Sequence, residues 1–383
     1  MNTEIKEPIR VLLLFTIMNR GGAETMVMNY YRHLDRTKVQ FDFMVHRESR
    51  GDFDDEIEAM GGHIYRMPPI YPQYFSRYKK LLKQFFDEHT EYKIIHSHMS
   101  ELGFFVFKEA KRRNIPVRIC HSHNAPDFKH ETFTQYLKLL PRYYFIRGIR
   151  NLTTDFFVCS HIAGLWHFGK ERQNRFVFMK NAVELAPFVY SSDEALRVRQ
   201  RLGIFPEQTV ICHVGRFNRQ KNHTFLIDIF YEIHRKNPNA LLLLVGDGEL
   251  RGNIEKKVEK LDLQKSVRFL GVRSDVNMLL KASDVLLFPS LYEGLSVVLV
   301  EAQATGIFCV TTNTLAKETV INKVNVALLS LKQSAEEWAD TVLNRKLDIN
   351  REDASIILRQ AGWDAADNAK WLQNYYIDSI KDG

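Results

Sequence analysis

Asp284-Val-Leu-Leu-Phe-Pro-Ser290-Leu-Tyr-Glu293-Gly294-Leu-Ser-Val-Val-Leu-Val-Glu301-Ala302 decides the architecture. Its opening is a continuous apolar run of buried-strand length, Gly294 supplies a turn, and Leu295 to Ala304 reads as the start of a helix. A strand, a glycine turn and a helix start leave a nest of unpaired backbone N–H groups at the positive end of a helix dipole. That suits a diphosphate, with the amides of Gly294, Leu295, Ser296 and Val297 as donors. Glu293 stands at the mouth, where a carboxylate can accept hydrogen bonds from sugar hydroxyls. Glu301 follows about two helical turns on, suited to gripping a ribose. Without further signals, Glu293 is equally an early-helix acid and Glu301 a solvated one.

A second cluster adds weight. Val210-Ile-Cys-His-Val-Gly215 reads as a short buried strand that runs into Arg216 and then Lys221, before a helical pattern from Thr224. Both cations therefore lie at the carboxyl end of a strand, the edge where open α/β sheets bind ligands. Arg offers a planar fork to phosphate oxygens and Lys a mobile point charge. Ordinary surface basicity is the alternative, since Arg219 lies between them. Two further strand patterns end in glycine, Ala240 to Gly246 with Gly248 just beyond, and Val267 to Gly271 followed by Val272. Such glycines let backbone approach a ligand closely.

In their order and intervals, Gly215-Arg216…Lys221, Val245-Gly-Asp-Gly248, Arg268-Phe-Leu-Gly271, Asp284…Pro289-Ser290 and Glu293-Gly294 through Glu301-Ala302 resemble glycosyltransferase family 4. In the front half, Arg10 to Phe15 followed by Asn19-Arg-Gly-Gly-Ala-Glu24 looks like that family's first strand and glycine loop. Ile94-Ile-His-Ser-His98 and Arg118-Ile-Cys-His-Ser-His123-Asn-Ala look like members acting in bacterial exopolysaccharide or capsule assembly. The resemblance implies an α/β protein of the GT-B fold, two Rossmann-like doubly wound parallel-sheet domains facing across a cleft. It implies a retaining enzyme that uses a nucleoside-diphosphate sugar, UDP- or GDP-linked, and a saccharide or polyprenyl-linked acceptor. Carried over residue by residue, Glu293, Arg216, Lys221 and His123 are the catalytic candidates. Gly22, Gly215, Gly246, Gly248, Gly271, Val272, Gly294, Leu295, Ser296, Val297 and Glu301 would face the donor. Gly21, His98, His121 and Asn124 would lie on the acceptor side, with His96 a further contact. Either His121 or His123 could approach the transferred sugar; the spacing from Pro116 favours His123. A tight turn is the plain alternative for Gly21-Gly22, and a structural role for the strand-end histidines.

The chain of 383 residues has room for two domains of ordinary size, and 45% hydrophobic with 26% charged residues is the balance of a globular protein. The net charge of +7 is uneven: residues 1–185 hold 28 Lys and Arg against 21 Asp and Glu, while residues 186–383 hold 25 of each. A basic front half fits a phosphate-bearing acceptor or an anionic membrane surface. Nucleic acid is the rival partner, but no recognisable module for it is present. Cys120, Cys159, Cys212 and Cys309 are widely separated and form no C-x-x-C pair, so reduced thiols and a cytoplasmic location are expected. Val11 to Met18 is too short for a secretory signal, and no apolar run approaches the ~20 residues that span a bilayer.

Strand and helix patterns alternate throughout, which predicts parallel sheets covered by helices. Front-half strands are expected at 9–15, 41–46, 93–96, 117–120, 155–159 and 176–179. Helices are expected at 23–34, 53–60, 77–88, 101–113, 132–146 and 161–168. The pattern loosens at 181–190, dividing an acceptor domain (1–185) from a donor domain (186–364). By resemblance, the last helix (365–383) packs back on the first domain. Asp52-Phe-Asp54 is a D-x-D, which elsewhere holds a divalent metal; ahead of a helix pattern it fits capping and dipole complementarity better. The histidines lack metal-ligand spacing with Cys or acids, so no metal and no cofactor are expected. Arg66 to Phe86 and Tyr136 to Arg150 mix aromatic and basic residues, which suits a membrane interface or a helix with its basic face in water. A sugar-nucleotide epimerase or hydrolase on the same architecture is one alternative, and a non-catalytic nucleotide-sugar-binding protein another. A dehydrogenase fits less, because no G-x-G-x-x-G follows the first strand.

Overall fold

The computed structural model describes residues 7–123, 133–293, 296–315, 317–321, 325–347 and 349–381. The chain divides into two compact units, Met1–Ala182 with Ala365–Gly383, and Val183–Asp364. The break falls at Ala182–Val183, against the 185/186 division expected.

The first unit is built on seven strands: β1 (Ile9–Phe15), β2 (Val39–Val45), β3 (Ile64–Arg66), β4 (Ile94–Ser97), β5 (Val117–Ser122), β6 (Asp155–Val158) and β7 (Phe176–Phe178). They pair in the order β3-β2-β1-β4-β5-β6-β7, every pair parallel. The second holds β8 (Thr209–Val214), β9 (Ala240–Val245), β10 (Val267–Gly271), β11 (Val285–Phe288), β12 (Phe308–Thr312) and β13 (Val326–Leu329). Their order is β10-β9-β8-β11-β12-β13, again all parallel. In each sheet the chain starts at a central strand, winds outward, then returns to the strand's other side. The switch points therefore lie between β1 and β4 and between β8 and β11, the places where doubly wound sheets bind ligands.

The sequence reads as continuous apolar runs because each sheet is covered on both faces. In β1, Val11, Leu13 and Phe15 join one core while Leu12 and Leu14 join another. In β9, Leu242 and Leu244 face one way and Leu241, Leu243 and Val245 the other. The Ala365–Lys381 helix belongs to the first unit, where Ala365, Ala369, Leu372 and Tyr376, at helical spacing, enter the core of Val11, Leu13 and Phe41.

Several expectations change. β3 lies in a stretch read as non-strand, and the expected helix at 132–146 runs Phe133–Leu152. Asp54 opens the Asp54–Ala59 helix, but the N-cap is Phe53 and no side chain caps it. The Asp54 carboxylate is buried against Arg66 and accepts from the Gly51 N–H at 3.0 Å, so it is consumed by packing. Of the two readings of Arg66 to Phe86, the packed helix is the one present. Tyr78, Leu82, Phe85 and Phe86, the apolar face of the Phe75–Glu88 helix, are buried in the core. In the second stretch Ile146 and Ile149 are buried, while Tyr143 and Tyr144 remain exposed. No helix among the described residues is long and apolar enough to cross a membrane, and all four cysteines are buried thiols outside any disulfide.

Candidate functional site

The carboxyl ends of β8, β9 and β10 are tied in a row. Gly215 N–H donates to Val245 O at 2.9 Å, Gly246 N–H to Gly271 O at 2.8 Å, and Phe217 N–H to Asp247 O at 2.9 Å. Gly246 is required twice over. Its φ is +130°, and a Cβ there would lie 2.2 Å from the Gly215 carbonyl oxygen. Gly248, with φ +156°, similarly presses on Phe217 backbone, while Gly271 has φ +66°. Val272, next in line, is largely exposed.

Gly215 serves a different end. A Cβ there would stand 3.1 Å from Cγ, Cδ and Cε of Lys221, so the bare glycine lets the lysine stem lie flat across it. The ammonium then reaches Glu293, Nζ to Oε1 2.7 Å, with both side chains largely shielded, and sits 4.5 Å from the Phe288 ring centroid. Two loops are laced together to fix this pair. Leu291 N–H donates to Gln220 O at 2.8 Å, Gln220 Nε2 to Tyr292 O at 3.0 Å, and Asn222 Nδ2 to Pro289 O at 3.1 Å. Asn222, at φ +55°, caps the His223–Lys236 helix in the left-handed region that Asn tolerates.

Below lie His213 and His223, rings 4.6 Å apart, the second stacked on Phe217 at 4.1 Å. Burial, reinforced by the Lys221 charge, lowers both imidazoles, His223 to about 4, so the wall beneath the ammonium is neutral at pH 7. Arg216 is not part of the pair. Its guanidinium is 74% exposed and stands 3.8 Å from Glu249.

Gly294 and Leu295 lie outside the described residues. The helix after them is Val297–Ala304, beginning later than the Leu295 expected, with buried Ser296 as N-cap and no side-chain hydrogen bond occupying its end. Its first amides therefore remain available to an anion. Glu301 lies in this helix, and burial raises its carboxyl from the usual carboxylate range to about 7. Burial here penalises the charged form, so the group ionises as pH rises through about 7. A carboxylate accepts from two ribose hydroxyls better than a carboxylic acid does. Nucleotide affinity should accordingly climb by up to about tenfold per pH unit below 7 and level off above it. Calorimetric titration with UDP across this range checks it; the same slope in Glu301→Gln would remove Glu301 from the donor site.

In the first unit, Gly21 is the N-cap of the Gly22–His33 helix, at an ordinary φ of −96°. The two glycines are not there for left-handed backbone. The space a Gly21 Cβ would take is held by Glu24, its Oε2 2.3 Å away, and burial raises that carboxyl. The helix end expected to meet an oxyanion thus carries the chain's own acid. At the adjoining strand ends, His96, His98 and His121 are buried, and His98 Nδ1 lies 2.9 Å from His123 Nε2. His123 follows β5 and keeps partial exposure, whereas His121 within it has none. Asn124 lies outside the described residues.

Missed from sequence are Gln220 and Asn222, which lace the loops. Asn immediately before an apolar helical pattern is the cap signal that points to the second. Ser290 Oγ, buried and without a partner at the end of β11, had no such signal.

Known proteins resemble this chain along nearly its whole length. The family described as Glycosyl transferases group 1 matches residues 195–354, and Glycosyltransferase Family 4 matches residues 20–163. The putative glycosyltransferase EpsF of Bacillus subtilis (strain 168) is 34% identical over 378 residues, covering 97% of this chain and 98% of its own. The capsular polysaccharide biosynthesis glycosyltransferase CapH of Staphylococcus aureus is 26% identical, covering 91% and 94%. Among solved structures, Anabaena HepE in complex with UDP superimposes with a TM-score of 0.78 at 19% identity, covering 96% of this chain and 100% of that one. HepE has also been solved in complex with UDP-glucose.

Proposed function

The chain belongs to glycosyltransferase family 4 and has the GT-B fold; from that premise we propose that it moves a sugar from a nucleoside-diphosphate donor to an acceptor hydroxyl with retention of anomeric configuration. The observation that carries the reading is the Lys221–Glu293 pair, 2.7 Å apart beside an uncapped helix end at the β8/β11 switch point. As the bond to the diphosphate breaks, negative charge grows on phosphate while the sugar becomes oxocarbenium-like. Lys221 and the amides after Ser296 oppose the first charge, Arg216 swings in from solvent, and Glu293 holds sugar hydroxyls beside the developing cation. No side chain is assigned as nucleophile; the departing phosphate takes the acceptor's proton in a front-face displacement. His123 is the histidine assigned to the sugar, being the more exposed of the two candidates.

The cations make a metal ion at the diphosphate unnecessary in this reading, so UDP should bind equally well with a chelator present. UDP-sugars are the first donors to try, by likeness to HepE, with GDP-sugars as the competing class. CapH, named for capsular polysaccharide biosynthesis, points to surface polysaccharide assembly; in this reading the acceptor is a polyprenyl-linked saccharide at the inner face of the cell membrane. Exposed Tyr143 and Tyr144 fit peripheral contact there.

The experiment is a thermal-shift screen of UDP- and GDP-sugars, then transfer to polyprenyl-linked saccharide in anionic vesicles, with product configuration read by NMR. Retained configuration is expected, and no isomer or free sugar from donor alone. An isomer formed without acceptor would replace transfer with epimerisation, and an inverted product would remove the retaining assignment.

A further inference from the structure

At the carboxyl ends of β4 and β5 in the first unit, His96, His98 and His121 carry ring nitrogens to which the proposed transfer assigns no step. His96 and His98, two apart at the end of β4, share one face, and His121 comes from the neighbouring parallel strand β5. One ring nitrogen from each of the three lies within 4.8 Å of the others, with every side chain buried. His96 Nδ1 is 2.7 Å from the Tyr376 hydroxyl and His98 Nδ1 is 2.9 Å from His123 Nε2. The Nε2 atoms of His96 and His98, and both ring nitrogens of His121, have no partner. A buried polar group left unpaired is destabilising, so three adjacent rings in this state ask for a common ligand.

We propose that His96, His98 and His121 form a binding site for a divalent transition-metal ion, zinc being the best match, with the fourth position open. Three imidazoles and an open position are a recurrent zinc donor set. The two fixed Nδ1 atoms already make the outer contacts that orient ligating histidines, leaving Nε2 free to ligate. Neutral imidazole is the form that ligates. Zn–N bonds of about 2.0–2.1 Å set the donors roughly 3.4 Å apart, so the rings turn inward on binding. Sequence spacing hid the set because His121 reaches the other two only through strand pairing.

The test uses the whole chain, stripped with a chelator and dialysed, titrated with zinc against a colorimetric competitor and with cobalt(II) by visible absorption. Expected are one equivalent per chain, tetrahedral cobalt bands, and a thermal midpoint raised by zinc. His96→Asn and His121→Asn should weaken binding at least about 100-fold, and Tyr376→Phe, which removes only the hydroxyl on His96, by about 10- to 100-fold. His161→Asn, on an exposed histidine, should change nothing. Should the histidine variants fail to fold, the wild-type cobalt spectrum and Tyr376→Phe decide. No stoichiometric binding by wild type, or binding indifferent to these substitutions, overturns the site and leaves the three rings to ordered water.

Discussion

Lys221→Ala should lower kcat/KM by about 100- to 1,000-fold, the loss that follows removal of one preorganised charge donor. Two effects add. The variant loses the ammonium that would meet the departing diphosphate, and it leaves the Glu293 carboxylate, now 2.7 Å from its counter-ion, uncompensated where another anion must enter. The pair should therefore be strongly coupled. Lys221→Ala combined with Glu293→Ala should cost much less than the two single losses multiplied, because the second change removes the repulsion left by the first. Arg216→Ala should cost less, about tenfold, since its guanidinium stands mostly in water and is screened until donor arrives. Steady-state kinetics on the wild type and the four variants checks this. A Lys221→Ala enzyme within tenfold of wild type would remove the clamp.

Gly246→Ala should destabilise the second unit by about 2–6 kcal/mol, combining backbone strain at φ +130° with overlap on the Gly215 carbonyl. For a unit of this size that is a fall of roughly 5–20 °C in thermal midpoint. Nucleotide affinity should fall with it, because relief of the overlap moves the Gly215 backbone over which Lys221 lies. Gly252→Ala is the matched control: it sits in the Arg251–Lys260 helix with no atom within 4 Å of the new Cβ, and should change the midpoint little. Scanning calorimetry of both variants gives the comparison, and equal midpoints would sink the close-approach argument.

The buried strands were legible because parallel sheets demand long apolar runs. β1 was expected at 9–15 and is Ile9–Phe15. β3 escaped because its three residues, Ile64–Arg66, are only partly buried and lack such a run. Lys221 and Glu293, 72 positions apart, could be nominated from local chemistry, but their meeting depends on β8 and β11 pairing, which no local pattern encodes. Arg216 was grouped with them on its strand-end position, its chemistry and the family resemblance, none of which says where a long side chain comes to rest before a ligand binds. The histidines illustrate the same gap from the other side, since only sheet order makes neighbours of His98 and His121.

The Ala365–Lys381 helix has a bearing on how this molecule is made. It fills the first unit's core with Tyr376, donates or accepts at His96 through that hydroxyl, and takes a hydrogen bond from the Asp35 N–H on Gln373 Oε1. A nascent chain leaving the ribosome can complete its rear half before its front half, because this helix follows the whole of Val183–Asp364 in the chain. Until then one flank of the seven-stranded sheet stays open, a period in which chaperone engagement would matter most.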